Sequence, residues 1–196
     1  MWLIAGLGNP GSRYEGTPHN LGFDVVNLLV RRHHLDWTPQ ARFKTIVAAG
    51  SLGGEKIFFL KPVTYMNVSG DAVQPFAAFY NIPPSRVLVV CDDVNLPWGK
   101  VRVRRGGSDG GQKGLRHIIQ RLGTQEVPRL RLGCAPERPG GDLATYVLSP
   151  IWGEARTVVE QVREAAADCV EVVVSEGLIP AMTKFNGWDA FPKEGK

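Results

Sequence analysis

The stretch Val87-Leu88-Val89-Val90-Cys91-Asp92-Asp93 consists of five apolar residues followed by two carboxylates. An uninterrupted apolar run of this kind is typical of a central strand that is buried on both faces of a sheet. The run predicts a strand over residues 87–91, and the two aspartates mark its carboxyl end. In open α/β sheets, functional side chains collect in the loops at such strand ends. Asp92 is therefore the first candidate for a functional residue.

Strand and helix patterns alternate on both sides of this strand. The predicted strands cover residues 2–7, a hairpin over 44–61 with its turn at Gly53-Gly54, and residues 130–135. The predicted helices cover about residues 20–34, 71–80, 115–122 and 153–176, with Asn20 and Ser69 as caps of the first two. We expect a single α/β domain over residues 1–196, with a mixed, mostly parallel twisted sheet flanked by helices on both faces. Residues 136–150 are a candidate lid segment, in which 143–148 form either a short strand or a short helix.

Composition excludes several classes of protein. Of the 196 residues, 43% are hydrophobic and 21% are charged, which excludes a disordered chain, a collagen-like fibre and a coiled coil. No apolar stretch approaches the roughly 20 residues that cross a bilayer, and the N-terminal residues read as a strand. The three cysteines are odd in number and widely spaced, which predicts neither a disulfide framework nor a zinc site. A reducing, cytoplasmic location is the expectation.

Positive charge is concentrated in one segment. Residues 100–131 contain nine basic and two acidic side chains, a net charge of +7, whereas the whole chain carries +4. Such a concentration indicates a surface that binds a polyanion, the alternative being a solvated basic surface. Strict alternation in Lys100-Val101-Arg102-Val103-Arg104 would place the cations on one face of a strand, and Arg129-Leu130-Arg131-Leu132 repeats it. If the two strands share a sheet, they form a continuous cationic stripe suited to a phosphate backbone.

A glycine motif follows the first predicted strand. Gly6-Leu7-Gly8-Asn9-Pro10-Gly11 matches the G-x-G-x-x-G fingerprint of dinucleotide-binding proteins. That fingerprint requires a helix to begin within the glycines, and Pro10 and Pro18 prevent one there. No acidic residue follows a second strand at the expected distance. The sequence therefore argues against a nicotinamide cofactor.

Three loops at predicted strand ends carry polar residues that could perform chemistry. They are Asn9, Tyr14, His19 and Asn20 after the first strand, Thr64 to Asn67 after the hairpin, and Asp92-Asp93 after the central strand. An Asp can orient a His and stabilise its protonated form. No G-x-S-x-G elbow is present and Cys91 lies within an apolar strand, so water activated by a histidine base is the favoured nucleophile. The structural alternatives are that His19 and Asn20 begin a helix, that Asp92 caps a strand and that Asn67 occupies a turn.

Together these motifs resemble the bacterial peptidyl-tRNA hydrolase family. The resemblance runs in order from residue 3 to about residue 188. It is carried by Gly6 to Gly11, Tyr14, Thr17 to Gly22, Lys61 to Gly70, Asp92 to Gly99, Gly110-Gly111 and Gly114-Leu115.

The resemblance implies a monomeric α/β enzyme that hydrolyses the ester between a peptide and the terminal ribose of tRNA. It assigns His19 as the general base and Asp92 as the residue that holds it, and it gives Asn9 a part in rejecting substrates with a free α-amino group. The positions of Tyr14, Tyr65, Met66 and Asn67 would line the pocket for the peptide and the tRNA 3′ end. In the mechanism we expect, either Asn67 or a backbone N–H of the glycine-rich loop donates to the oxyanion. The tRNA phosphates would be bound by Arg102, Arg104 and Arg131. The alternation described above adds Lys100 to this set. No metal or cofactor is implied.

One motif departs from the family pattern. The expected Gly-Gly-His-Asn-Gly reads Gly110-Gly111-Gln112-Lys113-Gly114 in this chain. Either Gln112 supplies the amide that binds substrate, or Lys113 donates to the same oxygen and also contacts a phosphate. Three other functions stay open at this stage: a binding module without turnover, a nicotinamide-dependent enzyme, and a nucleoside hydrolase or phosphorylase.

Overall fold

The computed structural model describes residues 1–136 and 141–191, which contain a seven-stranded mixed sheet. The strands, in chain order, are β1 (Trp2–Gly6), β2 (Thr38–Gln40), β3 (Thr45–Leu52), β4 (Glu55–Pro62), β5 (Val87–Asp93), β6 (Val101–Arg104) and β7 (Arg129–Gly133). Their order in the sheet is β2-β3-β4-β1-β5-β7-β6. The four neighbouring strands β4, β1, β5 and β7 are parallel to one another. At the two ends of the sheet, β3 pairs antiparallel with β4 and with β2, and β6 pairs antiparallel with β7.

The described residues contain six α-helices, and helices flank both faces of the sheet, as predicted. They are α1 (Leu21–Arg32), α2 (Gly70–Phe79), α3 (Lys113–Leu122), α4 (Leu143–Val147), α5 (Glu154–Ser175) and α6 (Leu178–Phe185). One hydrophobic core joins α1, α5 and α6 to one face of the sheet. A second core joins α2 and α3 to the opposite face. The central strand is confirmed: every residue of β5 is buried between these two cores.

Glycines bring α1 close to the carboxyl ends of β1 and β5. A Cβ on Gly6 would collide with the carbonyl oxygen of Gly22, and one on Gly22 would collide with that of Val90. The glycines after β1 therefore permit close packing between helix and strand. The chain forms short 3-10 turns at Ser12–Tyr14 and Pro18–Asn20 before α1 begins at Leu21. This confirms that no helix starts within the glycine fingerprint.

Asn20 and Ser69 occupy the N-cap positions of α1 and α2, as predicted, but neither side chain caps its helix. The Asn20 side chain makes no capping bond to α1 and binds the backbone of Asn9 instead. The Ser69 hydroxyl donates to the carbonyl of Met66 at 2.8 Å and does not cap α2. In each case the side chain is hydrogen-bonded to backbone that precedes the helix.

Several element boundaries differ from the sequence expectation. The ambiguous residues 143–148 form the helix α4, β5 continues as far as Asp93, and β7 ends at Gly133. Strand β2 and helix α6 were not predicted, since β2 is only three residues long and α6 contains a proline. Residues 137–140 of the candidate lid lie outside the described residues, so the lid stays a prediction.

Candidate active site

A cavity of about 640 Å³ opens at the carboxyl ends of the central strands. It is bounded by the loops that follow β1, β4 and β5, by the glycine-rich loop before α3, and by α4. Its lining residues are Asn9, His19, Tyr65, Met66, Asn67, Asp92, Asp93, Val94, Asn95, Gly110, Gly111, Gln112, Lys113, Leu143, Ala144, Val147 and Leu148. Most of the polar residues chosen from sequence for the strand-end loops thus meet in one place.

His19 and Asp92 form a hydrogen-bonded pair in this cavity. His19 Nδ1 lies 2.8 Å from Asp92 Oδ2, and the two side chains are 14% and 4% exposed. An ionised carboxylate can only accept a hydrogen bond, so Nδ1 carries the proton and Nε2 is the basic nitrogen of the neutral ring. The short turn Pro18–Asn20 carries the imidazole and the end of β5 carries the carboxylate. The arrangement can hold a histidine base in one tautomer and stabilise its protonated form.

Asp92 has a second partner on its other oxygen. Gln112 Nε2 donates to Asp92 Oδ1 at 2.9 Å and lies 3.2 Å from Met66 Sδ. The side-chain oxygen of Gln112 accepts from the backbone N–H of Leu115 at 2.8 Å, which caps α3. Gln112 lines the cavity, but both ends of its amide are held by neighbouring residues. Its predicted role as the amide that binds substrate therefore conflicts with the bonds that the side chain makes.

The Asn9 side chain is fixed so that it presents a donor to the cavity. Asn9 Oδ1 accepts from the backbone N–H of Met66 at 2.8 Å. Asn20 holds the Asn9 backbone through two further bonds, accepting from its N–H at 2.8 Å and donating to its carbonyl at 3.1 Å. Because the oxygen of the Asn9 amide faces Met66, the amide nitrogen is the end left for a ligand.

Three other predicted substrate residues are exposed at the rim of the cavity. Tyr65 is 57% exposed, and Asn67 is exposed in the 3-10 turn Met66–Val68. Lys113, the first residue of α3, is also exposed and lines the cavity. Tyr14 does not line it: its ring packs beneath the Arg13 guanidinium at 4.6 Å.

The two arginine-bearing strands lie side by side, as the alternation predicted. In the antiparallel pair of β6 and β7, Arg102 lies opposite Arg131 and Arg104 lies opposite Arg129. Directly opposed residues project to the same face of a sheet, so all four arginines share one face. Their valine and leucine neighbours enter the core on the other face.

The predicted continuous cationic stripe is nevertheless wrong in part. Arg129 is only 2% exposed, and its guanidinium donates to the carbonyls of Val127, Gly107 and Ser108 at 2.8 to 3.0 Å. Arg131 forms an ion pair with Asp93 at 3.2 Å. Lys100 pairs with Asp189 at 3.0 Å. The glycine-rich loop covers β7. Among the described residues, Arg102 and Arg104 on the outer strand are the cations of the stripe whose side chains stay unpaired.

A family model described as peptidyl-tRNA hydrolase matches residues 3–194 of the chain. The chain belongs to the peptidyl-tRNA hydrolase family. The peptidyl-tRNA hydrolase of Carboxydothermus hydrogenoformans is 48% identical over 187 residues, covering 95% of this chain and 98% of that protein. That of Chloroflexus aggregans is also 48% identical, covering 95% and 99%. The crystal structure of peptidyl-tRNA hydrolase from Acinetobacter baumannii is 32% identical, with a TM-score of 0.91 over 97% of this chain and 96% of that chain.

These comparisons confirm the family resemblance and the α/β fold predicted from the sequence. As a member of the peptidyl-tRNA hydrolase family, the protein is a hydrolase. Across residues 1–136 and 141–191, no helix is both long and apolar enough to traverse a bilayer. Within that same part of the chain, no group of three His, Cys, Asp or Glu side chains is arranged to hold a metal ion.

The glycine-rich loop of this peptidyl-tRNA hydrolase family member depends on its glycines. Gly107, Gly110 and Gly111 have φ values of 118°, 59° and 89°, in a region that other residues rarely adopt. A Cβ on Gly110 would also collide with the Arg131 guanidinium. Asp109 accepts from the N–H of Gly111 at 2.8 Å, and its hydrogen bond from Arg116 holds the pKa of the Asp109 carboxyl below its ordinary value.

The sequence suggested residues 136–150 as a lid, but it did not predict two features of the site. Four residues in or next to α4, Leu143, Ala144, Val147 and Leu148, form an apolar wall of the cavity. Asn95 Nδ2 donates to the carbonyl of Gly110 at 3.1 Å and joins the loop after β5 to the glycine-rich loop. The capping Asp142 before an apolar segment was a local signal for α4. No local signal shows that Asn95 contacts Gly110, because the two belong to different loops.

Proposed function

We propose that this protein hydrolyses the ester bond of peptidyl-tRNA and of N-blocked aminoacyl-tRNA, releasing the peptide and free tRNA. The main support is the His19–Asp92 pair in the cavity, in which His19 Nδ1 lies 2.8 Å from Asp92 Oδ2. Family membership supports the substrate class. The described lining residues include no serine, threonine or cysteine that could attack the ester. Water activated by His19 is then the nucleophile.

In this mechanism His19 Nε2 removes a proton from the attacking water while oxygen adds to the ester carbonyl. Asp92 stabilises the imidazolium through the bond to Nδ1. The protonated ring then donates to the departing ribose oxygen as the tetrahedral intermediate collapses. General-base catalysis of this kind contributes roughly 10²- to 10⁴-fold.

Amide donors around the cavity position the substrate and its developing charge. Asn67, or a backbone N–H of the glycine-rich loop, would stabilise the oxyanion. Asn9 presents its Nδ2 as a donor because Met66 occupies its oxygen. An acylated nitrogen brings a carbonyl that can accept from this donor, whereas a free α-ammonium group offers only donors. This difference explains a preference for N-blocked substrates.

The tRNA would lie along the basic face of β6. Arg102 and Arg104 would contact phosphates directly, while Lys100 and Arg131 would have to exchange carboxylate partners for phosphates. Lys113, at the rim of the cavity, is placed to contact the 3′-terminal nucleotides. A monomeric state and a cytoplasmic location stay predictions.

The deciding experiment compares N-acetylaminoacyl-tRNA with the same aminoacyl-tRNA left unblocked. Released acyl groups are scored after incubation with the protein, with the His19→Ala variant as control. We expect the wild-type protein to cleave only the blocked substrate. Binding of tRNA without cleavage of either substrate would favour a binding module and would contradict the proposal.

A further inference from the structure

Gln112 connects the N-terminus of α3 to the carboxylate of the dyad. Gln112 is buried, with 7% of its surface exposed. Its side-chain oxygen accepts from the N–H of Leu115, and its side-chain nitrogen donates to Asp92. The backbone N–H can only donate, so it selects the oxygen of the amide. The NH₂ group must then face Asp92. The helix cap therefore sets the orientation of this amide.

Asp92 is held by one donor on each oxygen. His19 Nδ1 lies 2.8 Å from Oδ2, and Gln112 Nε2 lies 2.9 Å from Oδ1. The terminal torsion of an aspartate has a broad energy profile, so a single partner would leave the carboxylate plane free to rotate. A second donor on the opposite oxygen fixes that plane and keeps Oδ2 directed at the imidazole. It also satisfies the buried Oδ1 oxygen, for which the described residues give no other hydrogen-bond donor.

We propose that Gln112 is a positioning residue for the hydrolysis, acting through Asp92 on the orientation and basicity of His19. The proposal rests on the proposed function of the dyad. It replaces the substrate contact that the sequence suggested for this residue. The geometry of the α3 N-terminus is in this way transmitted to the reacting imidazole.

The neighbourhood of Gln112 suits this role. A Cβ on Gly114 would lie 2.5 Å from Met66 Sδ and 3.1 Å from Gln112 Oε1, so glycine permits α3 to approach this closely. Asparagine would be one methylene too short to reach both Leu115 and Asp92. A glutamate would place a second carboxyl group against Asp92, where the two would share a proton. Glutamine supplies the donor without any titration of its own.

Gln112→Met tests the hydrogen bonds while it keeps the length and volume of the side chain. We expect kcat on N-acetylaminoacyl-tRNA to fall roughly 10- to 100-fold with KM unchanged, as for loss of a hydrogen bond to a charged group. The matched control is Gln120→Met, the same change at an exposed position of the same helix. A rise in KM at constant kcat would instead assign Gln112 to substrate binding, and unchanged kinetics would leave it a purely structural cap. Either result would overturn the proposal.

Gln112→Glu tests the proposal through the pH dependence of kcat, which a purely structural role for Gln112 would leave unchanged. A protonated Glu can donate to Asp92 as the amide does, but an ionised Glu repels it. The other ionisable side chains that line the cavity are Tyr65, Lys113 and Asp93, which pairs with Arg131. We expect the pH profile of kcat to gain a descending limb that the wild-type protein and Gln112→Met lack.

A Gln112→Glu profile that superimposes on the wild-type profile would contradict the proposal, even where Gln112→Met fails to fold. The wild-type protein separates the two hypotheses. If it does not cleave the blocked substrate, the proposed function fails. If it does and Gln112 variants behave as wild type, only the positioning role fails.

Discussion

The cavity and the outer strand β6 use polar side chains in opposite ways. In the cavity, His19, Asp92, Gln112 and Asn9 are linked to defined partners at 2.8 to 2.9 Å. On β6, the side chains of Arg102 and Arg104 have no hydrogen-bond or ion-pair partner within residues 1–136 and 141–191. In the first region the polar groups are already hydrogen-bonded to protein partners, whereas in the second the cations are unpaired within the described part of the chain.

This difference matches two physical tasks. Stabilising a charge that develops during a reaction requires groups that are already in place, because reorganisation would consume the gain. Binding a phosphate backbone requires accessible positive charge, and such contacts position the nucleic acid without reading its sequence. We therefore expect substitutions in the two regions to separate catalysis from binding.

The largest expected effect is that of His19→Ala. Loss of the base should lower kcat on N-acetylaminoacyl-tRNA roughly 10²- to 10⁴-fold. The affinity for deacylated tRNA should stay unchanged, because the ring is not part of the basic strand. Turnover kinetics and a tRNA-binding titration on the same preparation measure the two quantities. A parallel loss of both would mean that His19 serves binding or folding.

A smaller effect is expected for Arg129→Met. Burial lowers the pKa of this guanidinium, and its removal leaves the carbonyls of Gly107, Ser108 and Val127 without their donor. Leaving buried groups unsatisfied should lower the free energy of unfolding by about 1–3 kcal/mol. Urea denaturation measures the change.

Arg104→Met is the matched control, since Arg104 lies directly opposite Arg129 on the exposed strand. It should alter the free energy of unfolding by less than about 0.5 kcal/mol. Equal losses of unfolding free energy in the two variants would show that the buried hydrogen bonds of Arg129 contribute no more to stability than the exposed Arg104 side chain does.

Arg102→Ala and Arg104→Ala should weaken tRNA binding and leave kcat at saturating substrate intact. Each lost phosphate contact should reduce the slope of log affinity against log salt by about 0.7–0.9. Arg156→Ala, at an exposed position of α5, serves as the control for a general change in charge. An unchanged slope would remove the substituted arginine from the interface.

The smallest expected effect concerns the cysteines. All three are buried; burial raises the pKa of the Cys169 thiol to about 12 and also raises the pKa values of Cys91 and Cys134. Thiolate is the reactive form, so a thiol reagent at pH 8 should label the native protein very slowly and leave hydrolysis unchanged. All three thiols should react after unfolding. Rapid labelling of Cys91 with loss of activity would place a reactive thiol beside Asp92.

Much of this protein could be predicted from local patterns. Burial shaped three patterns in the sequence: the uninterrupted apolar run of β5, the apolar residues of the β3–β4 hairpin, and the helical spacing of apolar residues in α5. The meeting of His19 with Asp92 followed from one further rule, that parallel strands bring their carboxyl ends to one edge of the sheet.

The tertiary structure alone decided which partners the polar side chains have. Alternation placed Arg129 and Arg104 on the same face of the sheet, but only the glycine-rich loop, folding over β7, buried one and left the other exposed. In the same way, Gln112 turned inward because Leu115 and Asp92 together satisfy both ends of its amide. Periodicity reports the face on which a side chain lies. What covers that face depends on loops distant in sequence, whose contacts leave no local pattern.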